Sequence, residues 1–258
     1  MSDTDRSITA WSQTLDTLLD LGDRFTDDQW AAPTECPGWT VKDVYSHLIG
    51  GEDWMAQGHP APAEGLARIA DVPVAARRDR TGPEVLAELR QVYAQRLRQL
   101  VDNPPDPDVM TQTAFLLPVT VGVLLRMRAF DAWVHEQDVR RAIGMPGGLA
   151  NTSAEIARDI FLTSLPRVVA KLAAAPPDSL VRFTVHGEIG FDLAVSVDGS
   201  GRGHHAAAED DATATLAMSW ETFARLAAGR IAPAGADVQV SGDRALAERV
   251  LSHFAVTP

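Results

Sequence analysis

Apolar residues recur at intervals of three and four through most of the first 143 residues, which is the period of helices with one buried face. The pattern predicts one helix over about residues 7–25, a second beginning at Thr40, a third beginning at Pro83 and a fourth over about 119–143. Thr40 can cap the second helix, with Asp43 completing a short capping box. A loop over about residues 57–82 and a proline-rich break at 103–107 separate the helices. Four such helices favour a four-helix bundle.

The pattern changes after the Pro-Gly-Gly segment that ends at Gly148. One more helix is predicted over about residues 153–174, and alternating apolar residues over 180–197 then predict a β-hairpin. A strand at 214–218, a helix at 220–228, a short strand at 238–240 and a helix at 244–254 follow. The sequence therefore predicts an α+β protein with a four-helix bundle in residues 1–148 and a small α+β domain in residues 149–258.

Composition narrows the classes of function. The chain has 258 residues, 45% of them apolar, and a formal net charge of −12, which argues against a nucleic-acid surface. Cys36 is the single cysteine, so neither an intrachain disulfide nor a thiolate metal cluster can form within one chain. No segment has the ~18 consecutive apolar residues of a membrane span, and the N-terminus lacks the pattern of a signal peptide. We expect a cytoplasmic protein that binds neither nucleic acid nor membrane; its oligomeric state is left open.

Two metal-ligating side chains lie four residues apart in the fourth helix. At ~100° per residue, Asp131 and His135 project from the same face on adjacent turns, with Asp138 one turn further along. His47 lies beside the apolar stripe of the second helix, from which its imidazole can reach the interior. Together, His47, Asp131 and His135 could hold one divalent ion, for which zinc is the expected metal.

Structural interpretations compete with this one. A histidine beside an apolar stripe is most often a packing residue, and an Asp-His pair at this spacing can be a surface interaction of a few tenths of a kcal/mol. Asp138 can orient an imidazole or pair with Arg141 or Arg128. Some neighbouring residues are expected to have ordinary roles: Glu136 facing solvent, Trp39 and Trp54 in packing, and His204 and His205 in a solvated turn.

Three segments carry a family resemblance. They are Pro37-Gly-Trp-Thr-Val-Lys-Asp-Val-x-x-His47-Leu-x-Gly50, Asp131-x-x-x-His135-Glu-x-Asp138, and a tail with Ser219-Trp-Glu-Thr-Phe before Arg230. Over nearly the whole chain, this combination resembles the mycothiol-dependent maleylpyruvate isomerase family. The resemblance implies a DinB-like metal-binding bundle, a sterol-carrier-like C-terminal domain, and His47, Asp131 and His135 as metal ligands. This chain departs from the family pattern in having Asp131 where the isomerase has glutamate.

The resemblance also implies a reaction. Mycothiol, the small thiol of actinobacteria, would act as thiolate on a small electrophile such as maleylpyruvate, in a mycothiol-dependent isomerase or an S-transferase. We expect Asp138 and Arg230 to be the catalytic residues, with Arg230 also able to bind the thiol cofactor or a carboxylate substrate. Alternatives are a metal-dependent hydrolase, a binding module for a hydrophobic ligand with a structural metal, and a scaffold that has lost its metal.

Overall fold

The structure is a computed structural model that describes residues 2–57, 70–113, 117–208 and 211–257. The chain divides into two units. The first comprises Met1–Gly148 with Thr152–Ile156, and the second comprises Leu149–Asn151 with Ala157–Pro258. The α+β prediction is confirmed, whereas independent folding of residues 1–148 and 149–258 as domains stays a prediction.

Four long helices form the first unit: α1 (Asp3–Gly22), α3 (Val41–Gln57), α5 (Gly82–Asp102) and α6 (Val121–Ala142). Helix α1 packs on α6 and α5, and α3 packs on the same two helices, so the four close a ring around one core. That core is built from apolar side chains at helical spacing, and its fully buried members include Leu15, Leu18, Val44, Leu48, Ile49, Leu89, Ala129 and Ala132. The bundle therefore brings α3 and α6 side by side.

The register of α3 depends on its N-terminal cap. Thr40 accepts a hydrogen bond from the backbone N–H of Asp43 through Oγ1 at 3.3 Å, and Asp43 accepts one from the backbone N–H of Thr40 at 2.9 Å. This confirms the predicted capping box, a feature that satisfies N–H groups which the helix leaves unpaired. Thr120 caps α6 in the same way by accepting from the N–H of Val123.

The first unit also contains elements that the periodicity does not predict. The short helices α2 (Asp27–Trp30) and α4 (Asp71–Ala76) lie in connections, and strands β1 (Met110–Gln112) and β2 (Pro118–Thr120) form a hairpin before α6. The predicted loop at 57–82 is thus wrong for α4, and its residues 58–69 lie outside the described residues. The two short helices have four and six residues and the two strands have three each. These lengths are too short for a hydrophobic period to be recognised in the sequence.

The second unit combines helices with a five-stranded sheet. Helix α7 (Thr152–Arg167) is followed by a π-helical turn at Val168–Leu172. The strands are β3 (Leu180–His186), β4 (Phe191–Val197), β5 (Gly203–Ala206), β6 (Ala214–Ser219) and β7 (Gln239–Gly242), in the sheet order β5-β4-β3-β6-β7. Within this sheet, β3 and β6 pair in parallel, and the other three neighbouring pairs are antiparallel. Helices α8 (Trp220–Ala227) and α9 (Arg244–Ser252) complete the unit, whose core contains the aromatic rings of Phe161, Phe183, Phe223 and Phe254.

The predicted β3–β4 hairpin is confirmed, and one prediction nearby is wrong. His204 and His205 lie in strand β5 rather than in a turn, although both are exposed as expected. The Nε2 atom of His204 lies 2.8 Å from a carboxylate oxygen of Asp198, which is in the turn before the strand. None of the described helices is both long enough and apolar enough to cross a bilayer.

Candidate metal centre

The structure brings together three side chains that the sequence placed on two separate helices. His47 comes from α3, and Asp131 and His135 come from α6. One Asp131 oxygen, Oδ2, lies 3.5 Å from His47 Nε2, and the other, Oδ1, lies 3.7 Å from His135 Nε2. One potential ligand atom from each residue lies within 4.8 Å of the other two. These separations are too long for strong hydrogen bonds and leave space for an ion among the three atoms.

His47 carries the clearest sign of a missing partner. Its side chain is only 17% exposed, and both ring nitrogens are buried without a hydrogen-bond partner among the described residues. A buried polar atom without a partner costs about 1–3 kcal/mol, so proteins rarely keep one without a reason. A ligand that accepts the lone pair of one nitrogen supplies that reason. The donor set therefore fits a divalent metal.

Asp138 orients the second histidine. Its Oδ2 atom lies 3.0 Å from Nδ1 of His135, and the carboxylate is completely buried. A neutral His135 that donates its Nδ1–H to this carboxylate keeps the Nε2 lone pair directed at Asp131 and His47. Arg141 forms its ion pair with Glu35 at 2.9 Å. The contact between Asp138 and His135 Nδ1 has the geometry of a carboxylate that orients an imidazole.

Trp39 lies against both imidazoles. Its ring centroid is 5.0 Å from that of His47 and 5.8 Å from that of His135, and the planes of Trp39 and His135 meet at 28°. Its indole Nε1–H donates to Asp71 at the start of α4 at 3.3 Å. The packing partners of Trp39 are thus the candidate ligands, and the aromatic face limits how far either ring can tilt.

A buried network holds Asp131 from the other side. Arg128 donates through Nη1 to Asp131 Oδ2 at 2.8 Å, and through Nε and Nη2 to Glu52 Oε1 at 3.1 and 2.9 Å. Trp11 donates to the same Glu52 oxygen at 3.0 Å. Glu52 is completely buried, so the charge-assisted hydrogen bonds that it accepts are well shielded from water.

The charges around the site favour an ionised carboxylate and neutral imidazole. Burial opposes ionisation of Asp131, but the Arg128 guanidinium and the two histidines hold its pKa well below the ordinary 3.8. Burial lowers the pKa of His47 from 6.5, and the attraction of Asp131 offsets only part of that effect. Metal binding requires these protonation states.

The lowered pKa of His47 predicts a pH dependence of stability. As the pH falls below about 6.5, the unfolded chain takes up a proton at His47 before the folded protein does, so the metal-free protein should lose stability. The loss should be complete once the pH is below the folded pKa of His47. Thermal unfolding against pH in the presence of chelator, for wild type and His47→Gln, measures this contribution. Identical pH dependence of both proteins would contradict it.

Two remaining sequence expectations have different outcomes. Glu136 does not face solvent: its side chain is 1% exposed, and it pairs with Arg140 at 2.6 Å, so that expectation is wrong. The extent of the buried face of α6 explains the error, since consecutive residues from Ala132 to Val139 are all buried.

Arg230 follows α8 in the second unit and donates to the backbone oxygen of Ala228 at 2.8 Å. Its catalytic role stays a prediction.

Sequence reasoning missed the parts of the site played by Glu52 and Arg128. A signal for Glu52 exists, because it continues the buried series Val44, Leu48 at four-residue steps and yet is charged. Arg128 precedes Asp131 by three residues, which places both on one helix face. Its pairing with Glu52 depends on the packing of α3 against α6 and has no local signal.

A four-helix bundle with a His/Asp/His cluster between two of its helices, followed by an α+β unit, defines a two-part class of bundle proteins. Comparisons with known protein families show which family the chain belongs to. Residues 11–140 match the mycothiol maleylpyruvate isomerase N-terminal domain, and residues 155–249 match the MDMPI C-terminal domain. The chain belongs to the mycothiol maleylpyruvate isomerase family.

Solved structures agree with the fold. The crystal structure of the mycothiol-dependent maleylpyruvate isomerase matches with a TM-score of 0.58 at 17% identity, covering 93% of each chain. A histidine-to-alanine mutant of that isomerase matches with a TM-score of 0.57. Two Mycobacterium tuberculosis sequences, Uncharacterized protein MT0763 and Uncharacterized protein Rv0738, are 28% identical over 120 residues. That stretch covers 45% of this chain and only 56% of each relative.

Proposed function

We propose that this protein is a metal-dependent enzyme that uses mycothiol to act on a small electrophile, as an isomerase or an S-transferase. The observation that carries the proposal is the cluster of His47, Asp131 and His135, in which the buried nitrogens of His47 have no hydrogen-bond partner among the described residues. Family membership supports the use of mycothiol as the thiol. Mycothiol appears in the names of both matching isomerase structures and of the N-terminal domain family.

The residues fit a catalytic rather than a structural metal. Two imidazoles and one carboxylate are the donor set of catalytic zinc sites, which keep a coordination position for water or substrate, whereas structural zinc sites use four protein ligands. Zinc is therefore the proposed metal. When bound, such an ion supplies a Lewis acid that stabilises a thiolate near neutral pH.

The chain's own residues prepare this site. Asp138 holds His135 with Nε2 available, Arg128 keeps Asp131 ionised, and burial keeps His47 neutral. We propose that Arg230 binds an anionic group of the substrate or of the thiol, because its fork of N–H donors suits carboxylates. In an isomerase, the thiol would supply reversible addition to a conjugated carbon, so that the former double bond can rotate before elimination restores the alkene and releases the thiolate. A transferase keeps the adduct.

The test measures turnover of a panel of electrophiles, including maleylpyruvate, with mycothiol and metal varied independently. The proposal predicts turnover that requires both, is lost after treatment with chelator, and returns on addition of zinc. Product analysis then separates isomerisation from adduct formation. If substrate disappears equally fast without any thiol, the site is hydrolytic and the proposed use of mycothiol is wrong.

A further inference from the structure

We propose that Arg128, itself held by Glu52, is the positioning residue that fixes the Asp131 carboxylate for metal binding. This inference rests on the proposed metal site and assigns a function to residues outside its ligand set. Three independent features carry it: the contact between Arg128 and Asp131, the burial of the Arg128–Glu52 pair, and the presence of glycine at position 51.

The contact determines which oxygen of Asp131 faces which histidine. Oδ2 accepts the Nη1–H of Arg128 at 2.8 Å and lies 3.5 Å from His47 Nε2. Oδ1 is the oxygen near His135, at 3.7 Å from its Nε2 atom. The carboxylate of aspartate otherwise turns readily about its terminal bond, since that torsion has broad minima. The hydrogen bond from Arg128 removes this freedom.

The Glu52 side of the network holds the guanidinium in place. Glu52 Oε1 accepts two N–H groups of Arg128 and the indole N–H of Trp11. The pair is nearly neutral overall, so Glu52 compensates the positive charge of Arg128 next to a site meant for a cation. A buried ion pair of this kind commonly adds little stability over apolar residues of the same volume. Its presence between two ligand-bearing helices is better explained by orientation of Asp131.

Gly51 provides the space for this arrangement. A Cβ atom at position 51 would lie 2.6 Å from Nη2 and 2.9 Å from the central carbon of the Arg128 guanidinium. Glycine inside a helix is unfavourable relative to alanine, by about 1 kcal/mol in host peptides. Glycine at position 51 therefore lowers the stability of helix α3 but leaves space for the guanidinium next to the α3 backbone.

The experiment measures zinc affinity, by competition with a chromophoric chelator, in purified full-length variants. Gly51→Ala keeps every charged group, and the three atoms nearest to its added Cβ would all belong to the Arg128 guanidinium. A double variant, Arg128→Met with Glu52→Leu, replaces the ion pair by apolar side chains so that no charge is left buried alone. Arg126→Met is the matched control, because Arg126 lies on the same helix ~200° around from Arg128. Circular dichroism and thermal unfolding with chelator present report the fold.

The proposal predicts that Gly51→Ala and the double variant bind zinc ten to a hundredfold more weakly than wild type, the loss typical of partners that orient metal ligands. Arg126→Met should bind as wild type does. The visible spectrum of bound Co²⁺ should also change, but only in Gly51→Ala and the double variant. A purely structural role of the ion pair would leave this spectrum unchanged. If either variant folds and binds zinc with wild-type affinity, this proposal is wrong, and the proposed metal site still stands. A wild-type protein that binds no zinc overturns the metal site and this inference together.

Discussion

Replacement of His47 by alanine is expected to abolish stoichiometric zinc binding while leaving the bundle folded. His47 is the only one of the three proposed ligands on α3, so its loss leaves a two-residue site on α6. The fold should survive because the imidazole nitrogens have no hydrogen-bond partner among the described residues. The substitution therefore leaves no former partner of these nitrogens with an unsatisfied hydrogen bond. Elemental analysis of the purified variant measures the metal, and circular dichroism measures the helix content.

His205→Ala is a suitable control for this experiment. His205 is exposed on strand β5 of the second unit, so its removal tests whether any accessible histidine contributes adventitious metal. Zinc bound at the wild-type ratio in His205→Ala, together with zinc-free His47→Ala, assigns the ion to the bundle. Unchanged zinc content in His47→Ala would remove His47 from the site.

The candidate site was predictable where its geometry is local. Asp131, His135 and Asp138 lie on one face because any α-helix places residues three and four apart together. The capping box at Thr40 is equally local, and it sets where α3 begins and hence where His47 points. That His47 would meet this face was an inference from the apolar stripes of two helices and from a family resemblance.

The residues that surround the ligands were not predictable in the same way. Glu52 and Arg128 are separated by 76 positions and meet because α3 packs against α6. Trp39 lies before α3 begins, and its position over the imidazoles depends on the course of a loop. Strand β5 was missed because its exposed His204 and His205 interrupt the alternation by which strands are recognised. In each case, tertiary contacts override the local pattern.

Asp131 joins these two groups of residues. Its backbone position follows from the helix, but the direction of its carboxylate does not. Arg128 lies one turn earlier on α6 and donates to Oδ2 at 2.8 Å. Because Glu52 on α3 holds Arg128 in turn, the orientation of this carboxylate depends on the packing of the two helices.

Substitution of Asp131 by asparagine is expected to lower thiol-dependent turnover by more than the ten to a hundredfold that loss of an orienting partner costs. Asparagine preserves the size of the side chain but loses the negative charge that pairs with Arg128 and that would bind the proposed metal. Asp138→Asn, which changes the carboxylate that contacts His135 Nδ1, should fall within the smaller range. Steady-state rates with saturating zinc and mycothiol measure both losses.

Asp20→Asn serves as the control for charge alone, because Asp20 is exposed on α1 of the same bundle. Its turnover should equal that of wild type, and all three variants should retain the helical circular dichroism spectrum. Added zinc should not restore Asp131→Asn, since the neutral amide oxygen is a weaker ligand than the carboxylate and leaves the guanidinium charge of Arg128 facing the ion. Turnover by Asp131→Asn equal to that of Asp20→Asn would show that Asp131 is not a ligand, and the metal would then have to be held by other groups.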